Sequence, residues 1–286
     1  MIKIALLAMA LWVQPVLAAQ QDSCAVERLH FSMVPKADLD GEVEIFANLA
    51  ALLSSELDIP VDIVRPVSYE SVVRGVVDGG LDMAVLGPAS YVRAHEQNDR
   101  VEAFASISYA DGVFTPEGAY YQSILIVRGD SNYQQVDQLQ GASVAFTDPG
   151  STSGELIPST QFARLLDMPL DRFFASRIYA GSHDRAMEAL LSGQVAAAFV
   201  SSRRADDFLD QGIIGRDSFR VLWRSEPIHF DPFVFGSKLC EPMRRRISEL
   251  MLSGHPGLQA YLDSEGAEAI IPVDNDAYRP IAELSR

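Results

Sequence analysis

Residues 142–160 read Ala-Ser-Val-Ala-Phe-Thr-Asp-Pro-Gly-Ser-Thr-Ser-Gly-Glu-Leu-Ile-Pro-Ser-Thr. The stretch 142–146 predicts a strand, and it runs into a Thr-Asp-Pro-Gly loop at 147–150. Pro149-Gly150 makes a tight turn, and Ser151 then opens a helix that carries Phe162, Leu165 and Leu166. A strand feeding a helix through so short a loop is the unit of an α/β fold. At the helix start, unpaired backbone N–H groups and the positive end of the helix dipole converge. Ser151, Thr152 and Ser153 add three hydroxyls there, and Gly154 lets the backbone approach closely. Together they can surround a tetrahedral oxyanion. A good N-cap would use the same residues, so composition leaves both readings open. A nucleotide phosphate loop is excluded, since no Lys follows the glycines.

Outward from this unit the alternation repeats. Towards the N-terminus, 29–34 predicts a strand, and Val43, Phe46, Ala47, Ala50, Leu53 and Leu57 predict a helix over 43–57. A strand at 61–64 ends at Pro66. Ser68 caps a helix through Val77, closed by Gly79-Gly80, and a strand at 82–86 stops at Gly87-Pro88. The second series has a strand at 123–127, a short helix at 136–139, the unit above, a helix at 183–191 stopped by Gly193, and an apolar strand at 195–200. A stretch rich in proline and aromatics, 227–235, follows Trp223. The chain is then expected to end in helices, 244–251 and 257–263. With no strand after those helices, two lobes fit better than one open sheet. Lobe 1 is expected from 25–118 plus 231–286 and lobe 2 from 119–230, with crossings near 118–123 and 223–233.

Residues 1–18 read as an export signal. Lys3 supplies the positive start, 4–17 a short apolar run, and Val16-Leu17-Ala18 a small-residue cleavage site. The run is too short to span a bilayer, which takes about 20 residues. Cys24 follows Gln21-Asp22-Ser23, unlike a lipid-attachment site. The roughly 265 residues left suffice for two lobes of the usual ~100–150. With 39 Asp plus Glu against 23 Lys plus Arg, nucleic acid and anionic membrane surfaces are excluded as partners. A local oxyanion site survives that balance, because backbone N–H groups and hydroxyls need no net positive field. In an exported chain the two cysteines, Cys24 and Cys240, are expected to be bridged. The five histidines (His30, His95, His183, His229, His255) show no chelating spacing, so no metal and no cofactor is expected.

The segment DPGSTSGELIPS (148–159) resembles the signature of periplasmic phosphonate- and phosphite-binding proteins of ABC importers. Four more stretches match in the family's order: SYESVVRGVVDGGLDMAVLGPASYV (68–92), YYQSILIVRGDS (120–131), GSHDRAMEALLSGQVAAAFV (181–200) and SEPIHFDPFVF (225–235). The resemblance implies an α/β, two-lobed periplasmic-binding-protein fold of type II-like form, with the ligand cleft between lobes. It implies a periplasmic, monomeric protein that captures a phosphorus oxyanion (phosphonate, phosphite or phosphate) for a membrane ABC permease. Ser151, Thr152 and Ser153 would hold the oxyanion, Tyr69 and His183 would donate further hydrogen bonds, and Asp231 would contact the ligand from the hinge. Tyr121, Ser123 and Tyr91 are further candidates for the cleft wall. A carboxylate such as Asp231 repels an oxyanion unless a proton is shared, so it would disfavour sulfate.

One departure bears on the ligand's tail. Family members that take aminoalkyl phosphonates place an acidic residue shortly after the strand matching 195–200. Here that stretch is Ser201-Ser202-Arg203-Arg204, with Asp206-Asp207 further on. A buried ammonium without a carboxylate is costly. The expectation is therefore phosphite, phosphate or a small neutral alkyl phosphonate.

Ser151, His183 and Asp231 could be taken for a catalytic triad. No G-x-S-x-G elbow occurs, however, and Ser151 sits at a helix cap, so no enzymatic activity is expected. A sensor subunit presenting the same fold to a membrane kinase is the alternative to the transport reading.

Overall fold

The computed structural model describes residues 24–285. The export signal read at 1–18 lies outside them. In chain order the strands are β1 (Leu29–Met33), β2 (Val61–Ile63), β3 (Met83–Val85), β4 (Glu102–Ser108), β5 (Tyr120–Tyr121), β6 (Ser123–Arg128) and β7 (Ser143–Phe146). They continue with β8 (Ser176–Tyr179), β9 (Ala197–Ser201), β10 (Phe219–Arg224), β11 (Ile228–His229), β12 (Phe233–Phe235) and β13 (Ala269–Pro272). One sheet runs β13-β4-β12-β3-β1-β2 and a second runs β10-β6-β9-β7-β8. The short pair β5 and β11 forms a separate two-stranded ribbon where the chain passes between them.

Each lobe is thus built around its own sheet, with a parallel centre and antiparallel returns. β1 pairs in parallel with β2 and β3, and β7 with β8 and β9. β12 is antiparallel to β3 and β4, and β6 is antiparallel to β9 and β10. Helices cover both faces, which is why β6 reads as an unbroken apolar run. Its Ile124 and Ile126 enter one core cluster and its Leu125 and Val127 another, one on each side of the sheet.

Local sequence sets the ends of the helices that matter here. Ser68 and Ser71 form a reciprocal capping box, and the helix Tyr69–Asp78 closes at Gly79 in the left-handed conformation. Ser182 caps the helix His183–Leu191 by accepting the Arg185 N–H. Cys240 precedes the helix Glu241–Leu252 and is paired with Cys24, their Cα atoms 5.9 Å apart.

Three features differ from the sequence expectation. The chain does not end in helices alone, because β13 follows them and returns to the first sheet beside β4. Pro272 closes this strand on the sheet's edge, the position where a missing N–H is tolerated. The segments Glu102–Ser108, Pro88–Gln97 and Ser202–Asp210 are a strand and two helices that the apolar pattern did not single out. Finally, the helix opened by Ser151 winds as π-helix over Thr152–Leu156 and Pro158–Phe162 before becoming α over Ala163–Leu166. Pro158 has no N–H to give the Gly154 carbonyl, which instead accepts the Thr147 N–H at 3.2 Å. The neighbouring bonds reach one residue further, Leu156 N–H to Ser151 O and Ile157 N–H to Thr152 O.

Candidate ligand cleft between the lobes

Between the two sheets lies a cavity of about 110 Å³. Six segments that reach it follow the carboxyl ends of parallel strands. Lys36 follows β1, Tyr69 β2, Gly87 β3, Ser151 β7, His183 β8 and Arg203 β9. Open α/β sheets bind ligands in the crevice outside those ends, where helix starts and loops converge.

The turn at 147–154 supplies one wall. Ser151, Thr152 and Ser153 are all buried and line the cavity. Ser151 Oγ accepts the Gly154 N–H at 3.0 Å, and Thr152 Oγ1 accepts the Ala89 N–H at 2.8 Å. Those bonds use lone pairs, so both hydroxyl protons are left for an acceptor in the cavity. The bond to Ala89 also crosses from lobe 2 to lobe 1, as does Ser90 Oγ donating to Gly150 O at 2.9 Å. Gly154 is required sterically, since a Cβ there would overlap Thr147 Oγ1. A Cβ on Gly150 would come to 3.0 Å from Tyr69 Cβ, which lets Tyr69 lie against the loop.

Three uncharged donors complete this wall. Tyr69 and Tyr121 line the cavity and are almost wholly buried. Burial raises the pKa of both phenols, and the charge on Asp231 adds to it. They stay protonated and able to donate. Tyr121 also reaches the Ser153 and Thr152 side chains. His183 Nδ1 accepts the Ser201 N–H at 3.2 Å and lies 3.0 Å from Thr147 Oγ1. Its proton is therefore on Nε2. Burial lowers its pKa to about 4, so at neutral pH the ring is an uncharged donor.

The opposite side is ionic. Asp231 faces the cavity from just beyond β11, and burial pushes its carboxyl up to about 7; Lys36 opposes the shift while Glu265 and Glu42 add to it. Lys36 Nζ lies 3.0 Å from Glu42 Oε1 and 3.9 Å from Glu265 Oε1. Burial works against the Lys36 charge, yet Glu265 and Glu42 outweigh it and raise its pKa. Glu42 is itself raised to about 7, by burial first. Arg204 bridges Asp184, at 2.8 Å, and Asp207. Arg203 pairs with Asp207 at 2.7 Å and lies 4.3 Å over the Tyr109 ring, on the other lobe. Asp184 Oδ2 accepts the Ala37 N–H at 3.0 Å, a further hydrogen bond between the lobes.

The structure thus brings Tyr69, Tyr121, Ser151, Thr152, Ser153, His183 and Asp231 to one cavity. Ser123 stands behind the wall, donating to Ser153 O at 2.6 Å. Tyr91 is turned away into the core of lobe 1, where its hydroxyl meets Asn275 and accepts the Ala103 N–H and its ring packs against Tyr278. Sequence reasoning missed Lys36, Glu42, Asp184, Arg203, Arg204, Asp207 and Glu265 as lining residues. Beyond Asp231 it expected no carboxylate for the ligand's tail, whereas Asp207, six residues after β9, does line the cavity. Glu42 and Glu265 come from lobe 1, far in sequence from the strand where a carboxylate was sought. Position after β1 and β9 was the available signal for Lys36 and the arginines. Among the described residues no group of three or more His, Cys, Asp or Glu could hold a metal ion, and no helix is long and apolar enough to cross a membrane.

Comparison with known proteins bears on this cavity. The family described as ABC transporter, phosphonate, periplasmic substrate-binding protein matches residues 31–278. The phosphate-import protein PhnD of Mycolicibacterium smegmatis is 27% identical over 213 residues, 71% of this chain and 64% of that protein. The phosphonates-binding periplasmic protein of Escherichia coli is 26% identical over 206 residues, 70% of this chain and 58% of that one. The chain thus spans less than two thirds of the length of these curated relatives. PhnD1 from Prochlorococcus marinus, solved with methylphosphonate, superposes with a TM-score of 0.80 at 19% identity, covering 91% of this chain and 97% of that one.

Proposed function

This chain belongs to the periplasmic substrate-binding proteins of phosphonate ABC transporters, and from that premise we propose that its cavity captures a small phosphorus oxyanion for a membrane permease. Phosphite, phosphate and a short neutral alkyl phosphonate are the ligands proposed. The protein would be exported, lose residues 1–18, and work as a monomer in the periplasm.

The observation that carries this reading is the wall of hydroxyls. Ser151, Thr152 and Ser153 are buried beside Tyr69, Tyr121 and the Nε2–H of His183, and none of these donors carries a charge. A buried donor set without an acceptor is unfavourable, and an oxyanion satisfies several of its members at once. Each hydrogen bond to a charged acceptor contributes about 1.5–3 kcal/mol.

Asp231 adds selectivity. With a carboxyl pushed up to about 7 it holds or accepts one proton near neutral pH. A phosphorus oxyanion can share that proton in a short O–H···O bond. Above pH 7 Asp231 is mostly ionised, and sulfate, which brings no proton of its own, would face a carboxylate. Because the donors come from both lobes, ligand stabilises the closed arrangement over the open one. The ligand bridges the lobes and no bond is broken, which is the work of a carrier rather than of an enzyme.

Titration calorimetry with phosphite, phosphate, methylphosphonate and sulfate tests the proposal. At least one phosphorus oxyanion should bind with a dissociation constant in the micromolar range or below, about −8 kcal/mol or better. Sulfate should bind at least tenfold more weakly. Absence of binding to all three phosphorus ligands would overturn it.

A further inference from the structure

We infer that Lys36 sets the charge of the ligand's tail, acting as a built-in cation that occupies the acidic side of the cavity and refuses a ligand carrying its own ammonium. The inference rests on the oxyanion reading above and adds a specificity determinant to it.

The cavity is lined by five carboxyl groups, Glu42, Asp184, Asp207, Asp231 and Glu265, and by three cations, Lys36, Arg203 and Arg204. The arginines are committed elsewhere. Arg204 holds Asp184 and Asp207, and Arg203 holds Asp207 while lying on the Tyr109 ring. Glu42 and Glu265 therefore depend on Lys36, at 3.0 and 3.9 Å. Glu265 receives one further bond, from the Tyr109 hydroxyl at 2.9 Å. Even so, one oxygen of each, Glu42 Oε2 and Glu265 Oε2, is buried with no hydrogen-bond partner among the described residues. Glu42 is 3% exposed, so it looks into the cavity and not out to bulk solvent.

This site would welcome an ammonium if Lys36 were absent. With Lys36 in place, a second ammonium would meet a like charge at short range, in surroundings of low dielectric where that repulsion is large. A methyl or ethyl tail meets no such penalty and can lie along Met33, Val85 and Ile107, which also line the cavity. Lys36 is held in position by its neighbour, since the Ala37 N–H binds Asp184 across the lobes. The tail is thus tested when the lobes are together.

A purely structural Lys36 would support lobe 1 and leave the ranking of ligands alone. The test uses ethylphosphonate and aminomethylphosphonate, which have the same number of heavy atoms and differ in one ammonium. Affinities are measured by calorimetry on the mature protein and on Lys36→Met and Lys36→Gln, with methylphosphonate as reference. The wild type should prefer ethylphosphonate at least tenfold. In either folded variant the ratio should move at least tenfold towards aminomethylphosphonate, and adding Glu42→Gln should cancel most of that gain. Equal or tighter wild-type binding of aminomethylphosphonate overturns the inference, whether or not the variants fold. An unchanged ratio in a folded variant also overturns it. Failure of methylphosphonate, phosphite and phosphate alike to bind would instead bring down the oxyanion reading, and this inference with it.

Discussion

The two sides of the cleft are built by opposite means. The wall formed by Ser151–Ser153, Tyr69, Tyr121 and His183 is neutral and made of donors. Three of its members are consecutive residues at a helix start. The facing side is ionic, and its Lys36, Glu42, Arg204, Asp231 and Glu265 are gathered from segments spread along the whole chain. Neutral donors can be buried cheaply because each finds an acceptor in the protein or in the ligand, whereas a buried charge needs a counter-charge in a fixed place. The Ser-Thr-Ser part of the wall can therefore be written into a short peptide, whereas the ionic side exists only once distant segments have folded together. On the function proposed above, the neutral wall would hold the oxyanion, Asp231 would share its proton, and the rest of the ionic side would decide what accompanies it.

Removing one donor should have the largest effect on binding. Thr152→Ala deletes a hydroxyl facing the cavity and leaves the Ala89 N–H without its acceptor. Affinity for the preferred oxyanion should fall about 10- to 150-fold, corresponding to 1.5–3 kcal/mol, as read by calorimetry. A change under threefold would reduce the Ser-Thr-Ser motif to a helix cap and break the comparison.

The next effect concerns Asp231 and should appear as a pH profile. Its carboxyl titrates near 7, so below that pH the site brings the proton that the complex shares. Above both this value and the ligand's last ionisation the proton must be taken from solution. Affinity should then fall by up to about tenfold per pH unit. Asp231→Asn should flatten the profile and weaken discrimination against sulfate. Parallel profiles for variant and wild type would show that Asp231 is a turn residue.

A smaller effect is expected on stability alone. Glu42 has a folded pKa of about 7 against an ordinary value of 4.5. Between those pH values the folded state holds a proton that the unfolded state has lost, so this group's contribution to stability falls as pH rises. Across the window the loss is about 1–3 kcal/mol. Denaturant melts of the ligand-free protein at pH 4.5 and 7 should show a shallower decline for Glu42→Gln than for wild type. An identical decline would mean that Lys36 neutralises Glu42 fully.

Two changes outside the cleft should leave binding within twofold. Reducing Cys24–Cys240, which closes a loop with a sequence separation of 216, should cost about 2–4 kcal/mol of stability without touching ligand affinity. Thiol titration of the denatured, unreduced protein should find essentially no free thiol. Tyr91→Phe removes a hydroxyl that serves Asn275 and Ala103, not the cavity. A large loss of affinity in that variant would return Tyr91 to the site.

These contrasts also explain what the sequence could disclose. The caps at Ser68 and Ser182, the glycine stop at Gly79 and the apolar run of β6 are governed by neighbouring residues, and each is legible locally. The Ser-Thr-Ser cluster belongs to the same class. Tyr91 was misplaced because a Gly-Pro-Ala-Ser-Tyr run does not say which way the tyrosine turns on its helix, and here it turns inward. β13 ends in proline on a sheet edge and offered little pattern. The ionic side was illegible for a deeper reason. Lys36 stands just before the helix Leu39–Leu57 and Glu265 ends the helix Gln259–Glu265; they meet because those two helices, distant in sequence, pack together, and no local propensity encodes that meeting.

The π-wound segment after Ser151 has a consequence for how this protein can change over time. Substitutions along 155–161 alter individual contacts, but the loss of a single residue would do something different in kind. Each wide turn holds one residue more than an α-turn closed at the same point. Deleting one residue would let the winding fall back to the ordinary pitch while the three hydroxyls before it and Phe162 after it, packed against Phe199 and Trp223, keep close to their present places. In a regular α-helix the same cut would turn one side by about 100° relative to the other. This stretch should therefore accept the loss of one residue where ordinary helices reject it. A library of single-residue deletions, screened for folded protein that still binds, is expected to yield survivors across 155–161 and none within the α-wound Tyr69–Asp78.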